Sequence, residues 1–592
     1  MRSIKEFFKV NKSFFEIAWK ECKSYYFIYI IMILYGFASN MLLVLLPKIS
    51  LNCFYVEKKF KLGVAYICGY IMIVLIWAFV ERQMTLKQDI NVTCIRLKMR
   101  DIIYKKVNQN SMLAYEDSDE FDALQRALNY TDTGADELIN VVSRIVTCIL
   151  TLIGVSFVVG QVSILMVIIV FLALIVSHLC MRKVNDLWFK YQNNERLPKV
   201  RLINYLSGLW NDKDYVSTIK LNDAFNYSTK VLKSKTIDLT KEGVSKNRQR
   251  FKWNYISIIA NNLQLLSVHL YFGYLLFKGA LDIATYSSLF VAVQQFASNF
   301  DTLLNLFIEI RNNANEASFY MGYIKDQKYI QNGKKDIKEF EEIHLVNVGF
   351  KYPNQEKNAL YNISFSIQAG EKIAIVGENG AGKSTLLKLI LGLYYPSKGR
   401  IVFNENIDIT DIDLSSWYSH VAVVMQNSTN IPLTIEENIS LCDEKDTDSI
   451  KLEESILFSG LTEKINSLSK REKTVFSTRF DKNGVDFSGG EKQKVSIARA
   501  YYRKANVLIF DEPSSALDPN AEYDFFKKVY DLGKEKTIIF ISHRLSTVVK
   551  ADKIIVLDKG KIVGLGNHKE LINKCDIYTE MFNKQAENYI GE

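Results

Sequence analysis

The sequence predicts a multi-domain chain, in which an all-α polytopic membrane domain precedes an α/β P-loop nucleotide-binding domain. Three observations predict it. Charge-free apolar stretches of about 20 residues recur between residues 24 and 310 and then stop. A composition shift follows near Asn332-Gly-Lys-Lys335. Beyond it strand-like and helix-like stretches alternate, and one apolar strand runs directly into Gly377-Glu-Asn-Gly-Ala-Gly-Lys-Ser384. With 592 residues, only 7 prolines and no low-complexity tract, a disordered or fibrous chain is excluded.

Residues 1–23 carry too many charges for a signal peptide. Ile4, Phe7, Phe8, Phe14, Phe15 and Ala18 gather near one side of a helix, and the lysines lie largely elsewhere, which suits a helix in the membrane interface. Six spans are expected in the membrane domain, 24–330, near 24–47, 62–80, 139–160, 161–181, 253–277 and 283–308. From Ile145 to Met181 no charge occurs for 37 residues, so two spans fold back at Gly160-Gln161. The Lys/Arg bias sets the orientation. Eight basic residues lie between Arg82 and Leu138 and sixteen between Arg182 and Lys252, which places both long segments, both termini and the C-terminal domain in the cytoplasm. The Lys48–Lys61 loop departs from that rule with four lysines outside. Short amphipathic pieces are expected midway along the long segments, at Asp117–Arg126 and Val216–Phe225.

The formal net charge of +9 calls for an anionic partner. With no zinc-finger or RNP pattern, an anionic lipid bilayer fits and nucleic acid does not. The eight cysteines are scattered without a C-x-x-C pair, so neither a disulfide framework nor a zinc site is expected.

In the C-terminal domain, 331–592, the Gly377–Ser384 segment lies between the strand Glu371–Val376 and a helical run. That is the setting in which G-x-x-x-x-G-K-S binds ATP. Backbone N–H groups of Gly377, Glu378, Asn379, Gly380, Ala381 and Gly382 wrap the phosphates, and Lys383 reaches the β/γ-phosphates. The Ser384 hydroxyl ligates Mg²⁺, and Thr385 follows in the helix. Val507-Leu-Ile-Phe-Asp-Glu-Pro513 reads as a buried strand ending in two carboxylates. Asp511 is placed to hold Mg²⁺ through water, and Glu512 to act as general base or to orient the attacking water.

Between these motifs, Phe487-Ser-Gly-Gly-Glu-Lys-Gln493 resembles the LSGGQ signature of ATP-binding cassettes. The chain is thereby identified as a member of the ABC transporter family, of the exporter type with six helices fused to one cassette. The resemblance implies further roles. Tyr352 resembles the aromatic that stacks on adenine, Gln426 the Q-loop glutamine that senses Mg²⁺, Asp518 the D-loop aspartate and His543 the switch histidine at the γ-phosphate. Ser488, Gly489, Gly490 and Glu491 would face ATP on a partner cassette. Phe487 and Glu491 depart from the signature, and Glu491 adds a negative charge there.

The family resemblance also implies a dimer, as homodimer or heterodimer, in a bacterial cell membrane. It implies alternating access driven by cassette closure on ATP, with the two amphipathic pieces as coupling helices. Tyr215–Asp223 resembles the matching segment of lanthipeptide and bacteriocin-type peptide exporters, so the expected cargo is a modified peptide. Lipids or lipophilic drugs are the alternative, and a non-transport ATPase switch is a remoter one. No protease domain is expected before the first span, so a separate leader peptidase or modification enzymes would act on such a peptide. Polar residues within spans are candidate cavity groups: Asn262 and His269 in the fifth, and Gln294, Gln295 and Asp301 in the sixth.

Overall fold

A computed structural model describes residues 12–160, 164–329, 333–353, 355–404, 406–426, 430–478, 481–513, 519–531, 536–542 and 548–587. The chain divides into two compact bodies. One comprises 1–104 and 123–325, and the other 105–122 and 326–592.

The first body is helical. Helix α1 (Lys12–Glu21) buries Phe14 and Ala18, one turn apart, and leaves Lys12 and Lys20 exposed. The long helices are α2 (Lys23–Leu51), α3 (Phe60–Gln109), α5 (Ser118–Gly160), α6 (Ile164–Lys190), α9 (Phe225–Phe277) and α10 (Ile283–Lys325). Between them lie the short α4 (Leu113–Glu116), α7 (Leu197–Gly208) and α8 (Lys213–Leu221). Each long helix carries one expected apolar stretch, and most run well past it. Helix α3 has 50 residues, about 75 Å at 1.5 Å each, and charged turns follow its apolar run. Among the described residues, Lys23–Val56, Phe60–Gln109 and Asn140–Gly160 are long and apolar enough to cross a membrane by length and composition.

The apolar core of this body joins Val44 of α2, Val155 and Val159 of α5, Val268 and Phe272 of α9, and Leu289, Ala292 and Val293 of α10. Hydroxyls and amides tie helix to helix where water is scarce. Ser288 donates to the Val44 carbonyl at 2.8 Å, Asn40 donates to Thr151 at 3.2 Å, and the Ser177 and Ser257 hydroxyls meet at 2.6 Å.

The second body is an α/β cassette. Its central sheet has the order β10-β9-β3-β8-β7-β6, from β3 (Lys372–Gly377), β6 (Val421–Val424), β7 (Val507–Asp511), β8 (Thr537–Ile541), β9 (Lys553–Asp558) and β10 (Lys561–Gly566). Strand β3 pairs in parallel with both β8 and β9, which explains its continuous burial. A second, antiparallel sheet has the order β2-β1-β4-β5, from β1 (Glu342–Phe350), β2 (Leu360–Gln368), β4 (Lys398–Phe403) and β5 (Ile407–Asp408). Helix α11 (Lys383–Ile390) packs between the sheets through Leu386, Leu387, Leu389 and Ile390, all fully buried.

The amphipathic piece expected at Asp117–Arg126 is placed differently. The short helix is α4, at Leu113–Glu116, and residues 118–126 already belong to α5. Asp117 explains the break: its backbone is extended (φ −96°, ψ 112°), and its carboxylate accepts the Asp119 N–H at 3.1 Å. The residues around α4 belong to the cassette body.

Candidate nucleotide site

The loop after β3 depends on backbone conformations that only glycine adopts without strain. Gly377, Gly380 and Gly382 have φ of 155°, 81° and 102°. A Cβ on Gly377 would lie 2.2 Å from the Leu557 carbonyl oxygen, and one on Gly382 would lie 2.7 Å from Leu360 Cδ2. A Cβ at Gly380 would meet nothing within 4 Å, so the loop is open there. Gly382 is the N-cap of α11, which leaves the first N–H groups of that helix at the loop. This is a cradle for an anion made of main chain.

Lys383 is buried, and its ammonium donates to the Gly377 and Glu378 carbonyls at 2.8 and 2.9 Å. Burial pulls its pKa down, against the opposing pull of the Glu512 and Asp511 carboxylates. Asp511 closes β7 at 4% exposure, and burial together with the neighbouring Glu512 carboxylate pushes its carboxyl up to about 6. A buried acid with a raised pKa next to a second acid is a natural seat for a cation, because a cation would relieve both penalties. Ser384, exposed at the start of α11, adds an oxygen of the type Mg²⁺ takes. These residues fit an anionic nucleotide with a divalent cation.

Glu512 occupies a left-handed backbone conformation (φ 47°), held by its N–H on the Ile541 carbonyl at 2.9 Å. That turn brings its carboxylate to Gln426, whose amide donates to it at 2.7 Å, although the two are 86 positions apart. The Tyr352 and Thr385 hydroxyls meet at 3.0 Å. Tyr352 also stands edge-on to Phe350 and Tyr394. Asp518 and His543 lie outside the described residues.

Glu491, the charge that departs from the signature, has a structural partner that the sequence did not disclose. Ser488 caps α16 (Gly489–Tyr502), which follows the short α12 (Leu414–His420), α13 (Ile435–Ser440), α14 (Ser449–Ser459) and α15 (Thr462–Asn466). The Ser488 hydroxyl accepts the Glu491 N–H at 3.3 Å, and the Glu491 carboxylate accepts the Ser488 N–H at 2.8 Å. This is a reciprocal capping box. Lys464 of α15 pairs with the other carboxylate oxygen at 2.9 Å. Burial pushes the Glu491 carboxyl up, but the Lys464 and Ser488 bonds outweigh it and hold the group below its ordinary range.

Sequence reasoning also missed the bonds around α4. Ser111 donates its N–H to Tyr329 O and its hydroxyl to Leu393 O, both at 2.8 Å. The Tyr394 hydroxyl donates to Glu116 at 2.8 Å and accepts from Lys388 at 3.1 Å. Hydrogen bonds from Lys328 and Tyr329 hold the Asp117 carboxyl down at about 2. Tyr394 thus touches both Tyr352 and the α4 segment. The only sequence signal was a run of aromatics, Tyr394-Tyr395, after α11.

Fold and site together define a P-loop ATPase joined in one chain to a helical domain of membrane type. Residues 360–515 match the ABC transporter family. The chain is 30% identical to the subtilin transport ATP-binding protein SpaT of Bacillus subtilis over 508 residues, 82% of this chain and 80% of the relative. It is 27% identical to the nisin transport ATP-binding protein NisT of Lactococcus lactis subsp. lactis over 482 residues, 79% and 78% of the two chains. An ATP-dependent lipid A-core flippase of Wigglesworthia glossinidia brevipalpis is 35% identical over 246 residues, 42% of each chain. The fold matches a solved bacterial Atm1-family ABC exporter with ATP bound, with a TM-score of 0.74 at 22% identity, covering 95% of this chain and 98% of that one. The chain belongs to the ABC transporter family. It is a multi-pass membrane exporter that binds ATP and couples its hydrolysis to transport.

Proposed function

We propose that this chain exports a peptide of the subtilin and nisin kind from a bacterial cytoplasm, as one half of a dimer with six spans per protomer. The supporting observation is the extent of the similarity. The match to SpaT runs over 508 residues, which takes in much of the membrane domain as well as the cassette. The lipid A-core flippase matches run over 246 and 306 residues, much shorter than the match to SpaT. Cargo is chosen by the membrane half, so the longer match carries more weight.

In this reading Lys383 and the N–H groups of the Gly377–Gly382 loop hold the ATP phosphates. Tyr352 leaves Thr385 to stack on the base. Ser384, Asp511 and Gln426 would hold Mg²⁺, which when bound neutralises charge developing on the phosphates. Glu512 accepts a proton from the attacking water or orients it, with Gln426 fixing the carboxylate. Asp518 and His543 keep the D-loop and γ-phosphate roles that the family resemblance implies. Ser488, Gly489 and Gly490 present the N-terminus of α16 to ATP on the partner cassette, with Glu491 spent on the cap. The segment around α4, bonded to Tyr394, carries closure towards the spans, and both termini stay cytoplasmic.

The test is ATP-dependent uptake into inverted vesicles, with ATPase activity followed alongside, using a panel of lanthipeptide-type peptides, lipids and dyes. Peptide uptake and peptide-stimulated ATPase are expected. Uptake of lipid with no response to any peptide would overturn the reading in favour of a flippase.

A further inference from the structure

The helical body holds a cavity of 500 Å³ whose walls come from α2, α3, α5 and one turn of α10. None of Asn262, His269, Gln294, Gln295 or Asp301 lines it. Asn262 donates to Ile258 of its own helix, His269 meets the Tyr286 hydroxyl at 3.1 Å, and Gln295 accepts from Asn299. The cavity is polar instead through α3, which presents Glu81, Thr85, Gln88 and Asp89. Those positions are i, i+4, i+7 and i+8, a single helix face beginning where the apolar run of α3 ends.

The charges on that lining do not cancel. Arg144 of α5 is engaged by Glu309, 3.6 Å away and outside the lining. Glu81 and Asp89 have no cationic partner within 4.0 Å among the described residues. A solvated acidic face would account for those two alone, but not for Gln88. Gln88 is 8% exposed, and among the described residues its amide meets only the Met32 thioether, at 3.8 Å. A thioether is a weak acceptor, so an N–H and the carbonyl oxygen of a buried amide are left to the cavity.

We propose that this cavity binds cationic groups of the transported peptide, with Glu81 and Asp89 as counter-charges and the Gln88 carbonyl as a further acceptor. The inference rests on the peptide-export reading and deepens it. Eight residues of helix separate the two carboxylates by about 12 Å along the axis. An extended peptide covers that distance in about three to four residues. The cargo therefore carries ammonium or guanidinium groups at that spacing, each matched to one carboxylate.

The experiment uses the full chain in nanodiscs and two synthetic probes, a peptide with two lysines three residues apart and its Nε-acetylated copy. The reading is the peptide concentration that half-maximally stimulates ATPase. On the unaltered protein the lysine peptide is expected to act at about tenfold lower concentration than the acetylated one. Glu81→Gln with Asp89→Asn should remove that difference, and Glu81→Asp with Asp89→Glu should keep it. Equal action of both peptides on the unaltered protein overturns the cation site and leaves peptide export standing. A difference that survives the neutral double variant also overturns it. Stimulation by neither peptide overturns the export reading and the site with it. The first comparison needs no variant, so a misfolded variant cannot hide the answer.

Discussion

The loop after β3 is the proposed phosphate site and the polar cavity of the helical body the proposed cation site, and the two are built from different parts of the chain. In the loop the main chain does the binding, and its conformation admits glycine at Gly377 and Gly382 and little else. In the cavity the polar groups are side chains on helices whose backbones are ordinary. Any polar residue on the right face would preserve the helix there, so the cargo can change without a change of fold. A site made of backbone is specified tightly by sequence, and a site made of helix faces is specified loosely.

If the cassette is so tightly specified, its chemistry should depend on a few fixed groups. Glu512→Gln should retain ATP binding and lower turnover by about 10²–10⁴-fold, as loss of a positioned base does. Unchanged phosphate release in an ATPase assay would remove the assignment. Gly377→Ala comes next. Its Cβ would press on the Leu557 carbonyl, and we expect about 1–3 kcal/mol of strain, seen as a lower thermal midpoint and weakened nucleotide binding. An alanine variant of normal stability would show that the loop is less constrained than its dihedral angles state.

Burial and the neighbouring Glu512 carboxylate push the Asp511 carboxyl up to about 6, against an ordinary 3.8. Between those values the folded state holds a proton that the unfolded state has lost, so stability without ligand should fall as pH rises through that window. Affinity for Mg²⁺ with nucleotide should rise over the same window. Asp511→Asn should flatten the stability slope measured by denaturant titration. Tyr394→Phe should cost about 1 kcal/mol of cassette stability, because Glu116 and Lys388 each lose a partner. It should also reduce substrate stimulation of ATPase more than the unstimulated rate. Glu491→Gln should matter least, within about 0.5–1 kcal/mol, since glutamine can close the same capping box and only the Lys464 pair is lost. A large fall in ATPase for that variant would mean that the Glu491 charge serves the nucleotide directly.

Much of the cassette was legible in advance because its motifs are local. Strand, glycine loop and helix follow one another from Glu371 to Leu391 without interruption. Asp511 and Glu512 could be read from the strand that carries them. The short helix lies at Leu113–Glu116 and not at the expected Asp117–Arg126, because the break depends on one extended residue, Asp117, and its capping bond, which helical periodicity does not reveal. Glu491 looked like an added charge because Lys464 lies 27 positions earlier, in another helix. Asn262, His269, Gln294, Gln295 and Asp301 are polar and lie inside apolar runs, and none of them lines the cavity of α2, α3, α5 and α10. Polarity within a helix does not say which neighbour it faces.

Local sequence sets the strand-loop-helix around Gly377–Ser384, the carboxylates at the end of β7 and the apolar lengths of the helices. Each of these is set by backbone conformation or burial within a few consecutive residues. Tertiary structure alone decided that Gln426 meets Glu512, that Lys464 neutralises Glu491, that Tyr394 holds Glu116, and which face of α3 lines a cavity. Those pairings join side chains distant in the chain, and their energies exist only once packing has brought the groups within reach of each other.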